Sequence, residues 1–93
     1  MRLDQFLKAS RLVLRRTVAQ ELCEAGVVLV NGIPARSSRA VRVGDEIALR
    51  RRNEILSVRV LSVPAIRQTS RTEASTLYEI ISTATINTDP LTP

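Results

Sequence analysis

Residues 16–32 read RTVAQELCEAGVVLVNG, and the spacing of the apolar residues changes halfway along. Up to Ala25 it is helical. Val18, Leu22 and Ala25 form an inward stripe, with Ala19 and Cys23 alongside. Gly26 follows directly and supplies the left-handed residue that ends a helix. From Val27 the run VVLV has the length and β-branching of a short strand, and Asn31-Gly32 is a strong signal for a two-residue hairpin turn. A short helix stopped by glycine and followed at once by a tight hairpin implies an α+β fold.

On the N-terminal side, LDQFLKA (3–9) places Leu3, Phe6 and Leu7 on one helical face. Asp4 lies in the first turn, where a carboxylate suits the positive end of the helix dipole, and Ser10 breaks the helix. On the C-terminal side Ile33 begins the returning strand, and Pro34 restricts that strand to an edge or a bulge. Val41 and Val43 flank Arg42, Gly44-Asp45 makes a further turn, and Ile47, Ala48 and Leu49 lead into Arg50, Arg51 and Arg52. Asn53-Glu54 reads as the next hairpin tip. Beyond it Leu56, Val58 and Val60 alternate with Ser57, Arg59 and Leu61 in a strand reaching Val63. A last strand fits Thr76 to Ile81. Residues 65–75 read as a wide loop or a short helix. The expected architecture is two short N-terminal helices packed on a small, mainly antiparallel sheet. Residues 1–63 would form the domain, residues 64–84 an extension with one strand, and residues 85–93 a disordered tail.

The chain has 93 residues and is 44% hydrophobic but only 2% aromatic, so the core must be aliphatic, with Phe6 and Tyr78 its only rings. Charge is distributed unevenly. Residues 1–52 hold eleven basic and five acidic side chains, a formal +6, whereas residues 53–93 hold three and four, a formal −1. Lys8 is the one lysine, and arginine offers a planar fork of donors suited to phosphate. This imbalance points to a polyanion, with RNA the leading candidate. Cys23 is the single cysteine and there is no histidine, so an internal disulfide is excluded and zinc and iron–sulfur chemistry lack their usual ligands. No cofactor is expected. Cys23 has no histidine to activate it and reads as a small core residue. Arg2, Asp4 and Lys8 interrupt any apolar leader, and no run reaches transmembrane length, so a cytoplasmic setting without a membrane partner is expected.

Within the basic half, Arg11, Arg15 and Arg16 cluster before the second helix. Arg11 and Arg15, four apart, would share a face if the helical turn continued, and Thr17 would either cap the helix or meet phosphate. The start of that helix favours an anion through its unpaired N–H groups. Alternatively, Arg16 pairs with Glu21 or Glu24 and decorates the helix.

Taken in order, MRLDQFLKASRLVLRRTVAQELCEAGVVLVNG resembles the S4 RNA-binding domain family, with an RLDxxL opening, an RR(T/S) element, an apolar helix ending in Gly, and a VxVNG hairpin. The continuation IPARSSRAVRVGDEI matches the second half, which ends in VxxGDxI. The resemblance covers roughly residues 2–49 and rests on the ordered combination. It implies an S4-like (alpha-L) fold. It also implies RNA contacts by Arg2, Lys8, Arg11, Arg15, Arg16 and Thr17, joined by Asn31, Arg36, Ser37, Ser38 and Arg39 around the hairpin. Asp4 would organise the arginines, fixing the fork of Arg2 or Arg16. The near-neutral C-terminus departs from the S4-type heat-shock branch and favours the short members of bacterial ribosome-associated quality control. The implied partners are large-subunit ribosomal RNA, tRNA, the obstructed large ribosomal subunit itself, and a partner factor that tails stalled chains. No catalytic role is implied. A ribosome-assembly factor, or a detached RNA-binding module of an RNA-modifying enzyme system, would use the same surface.

Overall fold

A computed structural model describes residues 1–51, 53–64 and 71–85. Helix α1 (Leu3–Ala9) and helix α2 (Arg16–Glu24) precede strands β1 (Val28–Val30), β2 (Ile33–Pro34), β3 (Glu46–Arg51) and β4 (Glu54–Val60). A five-residue helix α3 (Arg71–Ser75) then leads into β5 (Tyr78–Thr85). Every pairing is antiparallel, in the order β2-β1-β3-β4-β5.

Helix α2 ends as its glycine requires. Gly26 sits at φ 76°, its N–H donates to the Cys23 carbonyl (3.0 Å), and the Val27 N–H donates to that of Leu22 (3.2 Å). This is the paired closure of a glycine-terminated helix. Its inward face differs from the expected one: Ala19 and Cys23 are buried, Leu22 is half-buried, and Val18 and Ala25 are exposed. Helix periodicity leaves the stripe uncertain by one position, about 100° of rotation. Here the small pair at i and i+4 takes the core.

The hairpin forms with Val30 opposite Ile33 around Asn31 (φ 53°) and Gly32 (φ 83°), the signature of a type I′ turn. Pro34 lies on the sheet edge, where its missing N–H costs nothing.

Side chains alternate along the sheet. Val28, Val30, Ile47, Leu49, Leu56, Val58 and Val60 turn to one face and pack with Leu3, Phe6 and Leu7. The core is aliphatic with Phe6 fully buried, and Tyr78 is half-buried against it.

Three boundaries move. Glu54 pairs with Arg51 and so belongs to β4 rather than to the turn. The strand expected to reach Val63 stops at Val60, because the N–H groups of Leu61 and Ser62 both donate to the Leu77 carbonyl (2.8 and 3.2 Å) and leave the ladder. The strand expected over Thr76–Ile81 runs over Tyr78–Thr85, with Thr85 opposite Glu54, so Thr85 is in the sheet and not in a disordered tail. The loop-or-helix stretch contains α3. Residues 65–70 and the rest of the expected tail lie outside the described residues.

Candidate nucleic-acid interface

The site is built on a buried charge. Asp4, in the first turn of α1, is completely inaccessible to solvent. Its Oδ1 accepts from Arg2 Nε (3.2 Å) and from the Gln5 backbone N–H (2.9 Å). Its Oδ2 accepts from Arg16 Nε (3.1 Å) and Gln20 Nε2 (2.9 Å). Burial alone would raise the pKa of this carboxyl, but the hydrogen bonds from Gln20 and Arg16 and the charges of Arg16 and Arg2 outweigh it and hold the pKa below the ordinary 3.8. Both arginines are gripped through Nε, so the terminal nitrogens of each fork stay outside the pairing. Their side chains remain 44% and 37% exposed. The organising role implied for Asp4 therefore extends to Arg2 and Arg16 together. Arg16 pairs with Asp4 rather than with Glu21 or Glu24.

A connection without regular structure, residues 35–45, brings the second set of residues to the same place. The Leu3 N–H donates to the Arg39 carbonyl (2.8 Å), the Asp4 N–H to the Ser37 carbonyl (3.1 Å), and the Val41 N–H to the Met1 carbonyl (2.9 Å). The first N–H groups of α1 are thus satisfied by protein. The loop carrying Arg36, Ser37, Ser38 and Arg39 is stapled beside Arg2, which forms a bridge with Ala40. Arg36, Ser38 and Arg39 are exposed and Ser37 is half-buried. Arg36, Ser37 and Ser38 also line an open cleft of about 370 Å³ with Cys23 and Glu24. Burial, with a contribution from the Asp4 charge, pushes the Cys23 thiol up to about 11, so at neutral pH it is a protonated core group.

Arg11 and Arg15 do not share a helical face. Helix α1 ends at Ala9, Arg11 takes the left-handed conformation (φ 59°), and Arg15 is the extended residue before α2. The buried Leu12 and Val13 occupy the turn a continued helix would have used. Thr17 is exposed within α2 and does not cap it, since the cap position belongs to Arg15, which makes no side-chain capping bond. Lys8 is exposed in the last turn of α1, the favourable end of the dipole for a cation.

Asn31 is occupied structurally. Its Oδ1 accepts from the Glu46 N–H (3.0 Å), and its Nδ2 donates to Asp45 Oδ1 (3.2 Å). Gln20 belongs to no motif legible in the sequence. Its one signal is the i, i+4 spacing from Arg16, which puts both on the face turned to Asp4.

An S4 domain model matches residues 1–47, which span both helices, the hairpin and the looped connection just described. The chain belongs to the S4 domain family. Over 81 residues this S4 protein is 47% identical to the RQC P-site tRNA stabilizing factor of Halalkalibacterium halodurans, an alignment covering 86% of this chain and 89% of the relative. It is 45% identical to the protein of the same name from Streptococcus pneumoniae, with 88% and 91% covered. Among solved structures, heat shock protein 15 of Vibrio cholerae superposes with a TM-score of 0.79 at 31% identity, covering 86% of this chain and 80% of that one. The likeness to the first two runs past the S4 match into the β4–β5 region. These relatives carry the names of a tRNA stabilizing factor and a heat shock protein, neither the name of an enzyme. Among the described residues no group of three or more His, Cys, Asp or Glu could hold a metal ion. Among the same described residues no helix is long and apolar enough to cross a membrane.

Proposed function

We propose that this S4 protein is a non-enzymatic, cytoplasmic RNA-binding factor that associates with the large ribosomal subunit obstructed by peptidyl-tRNA. There it contacts ribosomal RNA and tRNA and supports the tailing of the stalled chain by a partner factor. The observation that carries the reading is the Asp4 clamp. A buried carboxylate holds two arginines by their Nε atoms and leaves their terminal donors for phosphate, in a chain closely similar to factors named for stabilising P-site tRNA. Arg2 and Arg16 are the fixed centre. Lys8, Arg11, Arg15 and Thr17 extend the surface along the helix junction, Arg36, Ser37, Ser38 and Arg39 extend it along the stapled loop, and Asn31 holds the hairpin at its margin. Phosphate contacts carry little sequence information, so selectivity would come from RNA shape and from touching two RNAs at once.

Crosslinking and sequencing in cells tests the target. Recovery of tRNA with mature large-subunit RNA supports the proposal, and recovery of precursor ribosomal RNA would replace it with an assembly role. Replacing Arg16 with alanine should abolish most co-sedimentation with the large subunit while the protein stays folded. Unchanged sedimentation by a folded variant would remove the clamp from the mechanism.

A further inference from the structure

Leu14 is 78% exposed, more than any other large apolar side chain among the described residues. A single exposed leucine is common on a protein surface, but the placement of this one is specific. Its neighbours Leu12 and Val13 are each only 7% exposed and fill the core beneath it. The segment is pinned by the Arg11 N–H donating to the Lys8 carbonyl (3.0 Å) and the Val13 N–H donating to that of Leu7 (3.1 Å). Leu14 is therefore held outward on an anchored turn. Arg15 and Arg16 follow it directly, and Arg11 lies three residues before it.

Arg15 is exposed and directly adjacent to Leu14 in a strongly basic segment, so an anionic occupant of Leu14 is the one the local charge favours. A nucleic acid is anionic and also presents apolar surface, on base faces and on ribose C–H edges. In a paired helix the base faces are stacked away, whereas in loops and bulges they are open. We propose that Leu14 is an apolar contact of the RNA interface, docking on an unpaired base or ribose face and making the surface prefer looped RNA to duplex. The inference rests on the RNA-binding reading above and adds the class of nucleotide the site takes.

The test is equilibrium binding of the full chain to two naked RNAs of equal length, a hairpin with an unpaired loop and a blunt duplex, across a salt series. Leu14→Ser should bind the hairpin about five- to tenfold more weakly, with an unchanged salt slope and little effect on the duplex. Leu14→Lys should steepen the slope by about one phosphate contact on both RNAs and narrow the preference between them. Thermal melts of both variants should match the parent, because the side chain is exposed. If the parent binds the hairpin and Leu14→Ser binds each RNA as tightly as the parent does, the inference falls while RNA binding stands. If the parent binds neither RNA, both fall. Weakened association of Leu14→Ser with the intact large subunit alone, with naked RNA unaffected, would assign Leu14 to a protein contact and overturn the proposal.

Discussion

Burying a carboxylate as fully as Asp4 is costly unless each oxygen is matched, and here four donors from Arg2, Gln5, Arg16 and Gln20 converge on it. Asp4→Asn should cost about 1–3 kcal/mol at pH 7, the arginines being exposed enough for water to recover part of the loss. The folded carboxyl has a lowered pKa, so its stabilisation is complete above the ordinary 3.8 and is lost as pH falls through the lower, folded value. Denaturant melts should therefore show the gap between parent and Asp4→Asn closing below about pH 4. A gap of constant size down to pH 2 would contradict the clamp. At this scale the sequence is informative about charge and silent about amides. The RLD opening implies that Asp4 fixes an arginine, but Gln20 carries no charge pattern to betray it. Arg11 and Arg15 mislead because spacing of four means a shared face only where the helix continues, and it stops at Ser10.

Elements form where local signals agree with burial, and their ends shift where a backbone group finds a better partner. Periodicity locates α1, α2 and the alternation of β4, and the glycine places the end of α2. It cannot find the 35–45 connection, whose order comes from carbonyls of Ser37 and Arg39 meeting the start of α1 and has no side-chain period. Nor can it show that β4 leaves the ladder at Leu61. The Asn31-Gly32 turn is the sharpest case of agreement. A Cβ added at Gly32 would meet nothing within 4 Å, so any penalty there comes from its φ of +83° and not from crowding. Gly32→Val should lower stability by about 1–3 kcal/mol in a denaturant melt. An unchanged midpoint would mean the turn tolerates a branched residue in the left-handed region. Because Asn31 ties the same turn to Asp45 and Glu46, Gly32→Val should also loosen the hairpin from β3.

Across the molecule, the positive charge divides between two faces of the sheet. Leu49 turns to the buried side, so its neighbour Arg50 projects from the opposite, open face, away from the layer in which Asp4 holds Arg2 and Arg16. On that open face Arg59 is already engaged, reaching Glu79 (3.0 Å) and Glu46 (3.5 Å) in exposed pairs that add little stability. Net charge alone would rank Arg50 with the helix-side arginines, but an RNA lying on the helix side cannot reach an open-face arginine without bending round the sheet. Salt dependence separates the two sets, since removing one phosphate-neutralising cation flattens the slope of log affinity against log salt by about 0.7–0.9. Replacing Arg2 and Arg16 with alanine should flatten it by about two such steps, and replacing Arg50 with glutamine by well under one. A full step of flattening from the Arg50 variant would mean that the bound RNA grips both faces, and the interface would then extend past the S4 match into the β3–β4 hairpin.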